Sequence, residues 1–421
     1  MSKRLVVFFL LLVFIVNVRL MAQDSQQGYS ELSDHFNHRI ENMVQRCIDQ
    51  HVLPGCQILA LYRGKVVYDR NFGYQTYDTS LPVNDSTMYD VASMTKSLAT
   101  TLAVMKLYDN HELRITDKVS DYLDYTVGTA VGNLTIAELM THTSGLSAFV
   151  PFYREISPKG VWDTKWLHPT PDSLYSVVVA DSVYLRADFP DTVLYKIAHL
   201  KLGQKKYVYS DLGFILMKEI VEKIAGEPMD EFLNRNFYRP MNLTRTGFNP
   251  KEWTSVENIA PTENDTYFRK QLLRGYVHDQ SAAVFGGVCG NAGLFSTAHE
   301  VAVILQMLMN GGEWEGRTYL SEKTVLQFVS TCPMHGCNRR GLGFDTPKFA
   351  GETGLLPDDA GNKTYGHQGF TGTVFWCDPQ NDFIYIFLSN RVYPSAEENL
   401  LSKSKLRLLV QHEIYQGLWE E

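Results

Sequence analysis

Val91-Ala92-Ser93-Met94-Thr95-Lys96, followed at once by Ser97-Leu98-Ala99-Thr100-Thr101-Leu102-Ala103, is the stretch on which the reading of this chain turns. A serine and a lysine three residues apart, at the head of an apolar run, suit the first turn of a helix. At that spacing both side chains lie on one helical face, so the amine can reach the hydroxyl. A serine hydroxyl is a poor nucleophile until a neighbouring base takes its proton. The start of a helix also offers unpaired backbone N–H groups to an anion developing nearby. The pattern points to nucleophilic chemistry at Ser93 and Lys96. Ser-x-x-Lys is common, however, with about one match expected by chance in a chain of ordinary composition. Ser402-Lys403-Ser404-Lys405 repeats it in a charged stretch that reads as solvated helix surface. The partners of the motif have to decide.

The chain has 421 residues, 44% of them hydrophobic and 20% charged, which allows one large domain or two moderate ones. A net charge of −8 argues against a nucleic-acid partner, which would need a basic patch. At the N-terminus Lys3 and Arg4 precede the apolar run Leu5 to Val16, and Leu20-Met21-Ala22 offers a small residue for cleavage. That run is shorter than the roughly 20 residues that span a bilayer. Residues 1–22 are therefore expected to be a signal peptide, with the mature protein exported, periplasmic or secreted, and without a stable membrane span. Arg19 lies between run and cleavage point, so an uncleaved anchor is the competing expectation. Among six cysteines, Cys332 and Cys337 flank Pro333-Met334-His335-Gly336 and form the best candidate pair, as a disulfide or as free thiols. Cys56, Cys289 and Cys377 sit in apolar contexts and are expected to be packed. A Cys/His metal site around Cys332, His335 and Cys337 is the alternative, but a fourth ligand is not visible, and no metal or cofactor is expected.

Along the chain, Ser30 to Gln50 reads as an amphipathic helix stopped by Pro54-Gly55. Cys56 to Tyr62 and Lys65 to Tyr68 read as strands joined by an Arg63-Gly64 hairpin turn. Ser97 to Asn110 has a helical pattern, and Asp117 to Tyr125 suggests a further short helix. Leu134 to Met140 is another, with Thr135 and Glu138 placed as a capping box. It runs into His142, which is expected to be structural, closing the helix before a tight Ser144-Gly145 turn. Residues from about 148 to 206 show no clear period and read as loops and short helices walling a cleft. Tyr209-Ser210-Asp211 leads into a helix that runs from Phe214 to Ala225 and ends at Gly226, with another around Met229 to Phe237. His278-Asp279 is expected to be structural, and the glycines of Phe285 to Leu294 to serve close backbone packing. His367-Gln368-Gly369 opens a strand pair, with strands at Thr373 to Cys377 and Phe383 to Leu388. Ser402 to Tyr415 is a closing helix.

Three elements stand in chain order: Ser93-x-x-Lys96, Tyr209-Ser210-Asp211 and His367-Gln368-Gly369. The first opens a helix after a loop, the second precedes a helix, and the third lies on a strand before a hairpin. Together with Leu139 to Leu146 and Gly366 to Gly372, this set resembles the penicillin-recognising serine hydrolases: class C β-lactamases, DD-peptidases and related esterases. The resemblance spans about residues 30 to 415. It implies an α/β (α+β) fold, an antiparallel sheet flanked by helices plus a mostly helical subdomain. The expected organisation is a single catalytic domain over 23–421, with the sheet drawn from about 30–92 and 285–421 and the helical region from about 93–284.

Carried over by resemblance, Ser93 is the nucleophile that forms an acyl-enzyme, and Lys96 and Tyr209 share the proton transfers, with either as the base. The backbone N–H groups of Ser93 and Phe370 would form the oxyanion hole. His367 would add positive charge or a hydrogen bond, and Asp211, Gln368 and Gly369 would face the substrate. Three positions depart from the commoner pattern: Asp211 for asparagine, His367 for lysine, and Gln368 for threonine or serine. They weaken the case for an efficient β-lactamase and leave the acylation groups in place. The substrate expected is a small D-amino-acid peptide or muropeptide. An ester or weak β-lactamase substrate, or a non-catalytic sensor of wall fragments, are the alternatives.

Overall fold

The computed structural model describes residues 29–337, 339–347 and 354–420. The expected signal peptide lies outside the described residues. Among the described residues no helix is long and apolar enough to cross a membrane.

The organising layer is a six-stranded antiparallel sheet. Its strands are β1 (Tyr29–Ser30), β2 (Gly55–Tyr62), β3 (Lys65–Gly73), β4 (Tyr365–Gln368), β5 (Val374–Asp378) and β6 (Phe383–Ser389), in the spatial order β1-β3-β2-β6-β5-β4. The two ends of the chain therefore build one sheet, joined where β2 pairs with β6. Arg63 and Gly64 both adopt positive φ (51° and 71°), the geometry of a two-residue hairpin turn whose twist matches the flanking strands.

Residues of β2, β5 and β6 alternate between the faces of the sheet. Cys56, Ile58, Ala60, Val374, Trp376, Tyr385 and Phe387 pack on one side with α1 (Asp34–Asp49) and the C-terminal helix. Leu59, Leu61, Phe375, Cys377, Ile384, Ile386 and Leu388 belong to the larger core on the other side. Strands buried on both faces read as continuous apolar runs, as Val374 to Cys377 and Phe383 to Leu388 do. The larger core is built with α2 (Leu102–Asp109), α3 (Asp211–Ala225) and α4 (Ala298–Met309). Gly226 ends α3 in the left-handed conformation at φ 69°, as the sequence suggested. The Thr135–Glu138 capping box forms, with the Thr135 hydroxyl taking the Glu138 N–H. Such a cap is worth about 1 kcal/mol.

Four expectations change. The helix expected over Ser97 to Asn110 begins as a 3₁₀ turn at Ala92–Met94, widens into a π turn over Lys96–Thr101, and becomes α-helical only at Leu102. Asp117 to Tyr125 forms two 3₁₀ turns, Val119–Asp121 and Asp124–Thr126. The region 148–206 is not only loops and short helices. Leu167–His168, Val177–Ala180 and Val183–Leu185 form a small sheet, followed by a ten-residue helix, Phe189–Ala198. The closing helix breaks at Lys405 (φ 55°), so that Leu400–Ser404 is separate from α5 (Leu406–Trp419). The Ser402 decoy lies on that exposed first piece. Cys332 and Cys337 carry free thiols, and Cys56, Cys289 and Cys377 are buried.

Candidate active site

The site forms where the first turn after residue 91 meets the edge strand β4 and the start of α3. Ala92 holds φ at 47°, a left-handed conformation uncommon for a residue with a side chain. The buried Asp90 carboxylate pins it by taking the Ala92 N–H at 2.8 Å and, with its other oxygen, the His278 N–H at 2.7 Å. Ser93 follows on the 3₁₀ turn, partly exposed.

The hydroxyls downstream bolt this segment to distant backbone. Thr95 takes the Leu294 N–H at 3.1 Å, Ser97 donates to Gly343 O at 2.7 Å, and Thr100 donates to Gly290 O at 2.7 Å. Buried hydroxyls need such partners, and here each one fixes the frame that carries Ser93 and Lys96. The glycine-rich segment serves close packing as expected, since a side chain at Gly290 would run into the Phe214 carbonyl.

Lys96 is fully buried. Its ammonium lies 3.0 Å from the Ser93 hydroxyl oxygen, 2.9 Å from the Asn291 carbonyl and 2.6 Å from the Asp211 carboxylate. Burial alone would lower the Lys96 pKa, but the Asp211 and Tyr209 oxygens outweigh it, and the pKa is raised. Lys96 rests as an ammonium. Burial pushes the Asp211 carboxyl up against the pull of Lys96. Tyr209 is hydrogen-bonded to both Lys96 and Ser93, and burial raises its pKa despite the lysine. The structure thus brings Ser93, Lys96, Tyr209 and Asp211 together. Asp211 acts on Lys96 from the first position of α3, a different place from the substrate contact expected of it.

Tyr209 is held by its neighbours. His142, in a left-handed conformation at φ 57°, accepts the Ser210 N–H on Nδ1 at 3.1 Å, and its ring lies 4.4 Å from that of Tyr209. The Ser210 hydroxyl donates to Ser147 O at 2.7 Å. His142 is structural, as its place in the sequence suggested.

His367 is buried on β4 with its ring centroid 6.1 Å from that of Tyr209. Burial, Arg340 and Lys96 push its pKa down to about 3, against the pull of Asp345. It is neutral at any working pH, so the positive charge expected at this position is absent. Its Nδ1 lies 2.9 Å from Gln368 O, and a carbonyl only accepts, so Nδ1 carries the proton and Nε2 is an acceptor.

Gln368 does not join the site. His367 stands opposite Phe375 and Gln368 opposite Val374, so the two lie on opposite faces of the sheet. The Gln368 amide oxygen takes a hydrogen bond from Arg407 of α5 at 3.1 Å. Gly369 contributes backbone only, because a Cβ there would meet Val91 O at 2.5 Å. The turn 369–373 is tied to the chain just before Ser93. Thr371 donates to Asp90 O at 2.7 Å, Thr373 to Val91 O at 3.1 Å, and the Gly369 N–H to Thr373 O at 2.8 Å. Phe370 rides on this turn with its ring 56% exposed.

His278, Asp279, Glu263, Tyr267, Asn291 and Phe370 line a cavity that also contains Ser93. The purely structural role expected of His278-Asp279 is incomplete, since both residues also face this cavity. Asp90, Glu263 and Asn291 carried no motif in the sequence.

The profile of the beta-lactamase family matches residues 40–407. A protein of Escherichia coli (strain K12) named "Putative D-alanyl-D-alanine carboxypeptidase" is 30% identical over 406 residues, covering 88% of each chain. A protein of the same name from Salmonella agona is 30% identical over 381 residues, covering 84% of this chain and 82% of that protein. Among solved structures, the hydrolase EstCE1 superposes with a TM-score of 0.64 at 20% identity, over 90% of this chain and 98% of that one. The D-alanine carboxypeptidase AmpC of Burkholderia cenocepacia gives 0.61 at 17% identity, over 89% and 99%.

Proposed function

Because the chain belongs to the beta-lactamase family, we propose that it is an exported serine hydrolase acting through an acyl-enzyme at Ser93 on small D-amino-acid peptides of cell-wall origin. The observation that carries the reading is the Lys96 ammonium seated 3.0 Å from the Ser93 hydroxyl and 2.6 Å from Asp211. In this reading Lys96 accepts the Ser93 proton while passing one of its own to Asp211. Asp211 becomes a neutral carboxyl and Lys96 stays an ammonium, while the negative charge moves with the Ser93 oxygen to the oxyanion as it attacks the carbonyl. A carboxyl whose pKa is raised by burial suits that receiving role. Tyr209, bonded to both Ser93 and Lys96, returns a proton to the leaving group and is itself resupplied by Lys96. The N–H groups of Ser93 and Phe370 stabilise the oxyanion, held in register by the Thr371 and Thr373 ties to residues 90 and 91. Neutral His367 serves as a hydrogen-bond acceptor beside Tyr209. The D-peptide substrate is supported by the name that the E. coli and Salmonella relatives share.

A fluorescent penicillin or a fluorophosphonate is expected to label the wild type and not Ser93→Ala, with release of D-alanine from an amine-bearing D-Ala-D-Ala peptide but not from its L-Ala-L-Ala counterpart. Label retained in Ser93→Ala removes Ser93 as the nucleophile. Equal turnover of the two stereoisomers, or of p-nitrophenyl esters alone, removes the D-peptide assignment. N-terminal sequencing of the secreted or periplasmic protein is expected to begin just after Ala22.

A further inference from the structure

The cavity beside Ser93, about 200 Å³ in volume, has a wall of one-sided chemistry. Asp279 takes the Asn291 side-chain N–H on Oδ1 at 3.0 Å. A carboxylate only accepts, so this bond fixes the Asn291 amide with its oxygen as the remaining end. That oxygen is buried and has no partner among the described residues, in a side chain only 1% exposed. Across the same cavity stands Glu263, bonded to His278 Nε2 at 3.0 Å, the Tyr267 hydroxyl at 3.3 Å and the Ala396 N–H at 3.3 Å. Burial works to raise the Glu263 pKa, but the hydrogen bond from His278 outweighs it and keeps the group ionised.

No lysine or arginine lines the cavity. Two cations approach from behind its wall, and both are engaged. Lys96 is held by Asp211, Ser93 and the Asn291 carbonyl. Arg391 lies under the Phe370 ring at 4.4 Å and donates to Phe370 O at 2.9 Å. The wall therefore offers two carboxyl groups and an unpaired amide oxygen, with His278 already bonded to Glu263 and no lysine or arginine among the described lining residues. A buried acceptor left without a donor is costly, and a group that brings several N–H donors with a positive charge satisfies all three at once.

We propose that this cavity receives a free ammonium group of the substrate, so that the enzyme selects D-amino-acid peptides whose amine lies within a few bonds of the scissile carbonyl and is unblocked. This deepens the reading of Ser93 as an acylated nucleophile and rests on it. The α-amine of a D-aminoacyl group and the side-chain amine of a diamino acid share this chemistry.

Two matched pairs of substrates test it on the full chain: D-alanyl- against N-acetyl-D-alanyl-p-nitroanilide, and N-acetyl-D-lysyl- against N-acetyl-D-norleucyl-p-nitroanilide. The amine-bearing member of at least one pair is expected to show a kcat/KM higher by at least about 10-fold, the scale of a hydrogen bond to a charged group. Glu263→Gln, close in shape, is expected to reduce that ratio to within about 2-fold. If neither pair turns over, the same comparison is read as protection of Ser93 from a fluorophosphonate by each compound. Equal values within both pairs in the wild type, while Ser93 still labels, overturn the ammonium site and leave the acyl-enzyme standing. A ratio unchanged in Glu263→Gln also overturns it. Failure of Ser93 to label at all takes down the acyl-enzyme reading and the ammonium site with it.

Discussion

Replacing Asp211 with asparagine removes the anion that, among the described residues, touches the Lys96 ammonium, and the structure gives the size of the effect. The charges are 2.6 Å apart in a buried site. With an effective dielectric constant of about 20, their attraction is roughly 6 kcal/mol. An asparagine oxygen keeps part of this as a hydrogen bond, so about half is a fair expectation for what is lost. At 1.36 kcal/mol per pH unit, the Lys96 pKa should fall by about 2 units, because desolvation is then opposed by less. The sign follows from which protonation state reacts. In the wild type the competent form is ionised Asp211 with ammonium Lys96. The acid limb of the rate profile then belongs to the first protonation of that pair, on a carboxyl raised by burial, and activity extends to alkaline pH because the lysine pKa is raised. In Asp211→Asn the only competent form is neutral Lys96. The acid limb should then move from the Asp211 carboxyl to the Lys96 amine and so up into the alkaline range, with a rate at pH 7 lower by about 10-fold or more that recovers at high pH. The rate of fluorophosphonate labelling of Ser93 between pH 5 and 10 measures this without knowledge of the natural substrate. Coincident acid limbs in the two proteins would refute the relay.

Four further outcomes follow from named contacts. Lys96→Ala is expected to lower turnover by at least about 100-fold, the scale of losing a general base, and unchanged turnover would assign the base elsewhere. The wild-type profile should show no limb near pH 6.5 from His367, whose pKa lies at about 3; a limb there that vanishes in His367→Gln would contradict the neutral imidazole. Gln368→Ala is expected to leave kcat/KM within about 2-fold while lowering unfolding stability by about 1 kcal/mol, since it loses one hydrogen bond to Arg407. Thr371→Val should do the reverse and lower kcat more than it changes KM, because it frees the turn that carries Phe370 from Asp90 O.

The fold was legible wherever period and punctuation agreed. The two hairpins, with turns at Arg63-Gly64 and Asp378 to Asp382, were bounded by turn residues and filled by β-branched and aromatic ones. The strands at Val177–Ala180 and Val183–Leu185 carried the same β-branched signal. It was diluted by the aspartates and prolines around it, and their Asp181-Ser182 turn uses a positive φ at Ser182 that no glycine advertised. In the site, one misplacement was avoidable. His367 and Gln368 are neighbours on a strand, and side chains alternate, so only one of them can face Ser93. Asp90, Glu263 and Asn291 were beyond reach of the sequence for a different reason. Their roles come from segments far apart in the chain meeting at one cavity, and no local spacing records such a meeting.

The two departures at Asp211 and His367 make one physical statement when their surroundings are counted. Where the resemblance leads one to expect asparagine, this chain places a carboxylate 2.6 Å from Lys96, and where it leads one to expect lysine, an imidazole kept neutral by burial and by Arg340 and Lys96. Relative to that commoner pattern the catalytic cluster gains one negative charge and loses one positive charge. The field that would draw a substrate carboxylate toward Ser93 is weakened from two sides, while the carboxyl groups of Glu263 and Asp279 line the open side. Electrostatic selection works on differences of this size, since a mismatched charge held close in a poorly solvated cleft costs several kcal/mol. The same two substitutions that turn the cluster away from anion recognition leave Ser93, Lys96 and Tyr209 within hydrogen-bonding reach of one another. Acylation and substrate charge are therefore separable in the proposed reading: the first rests on Ser93, Lys96 and Tyr209, and the second on the carboxylates beside them.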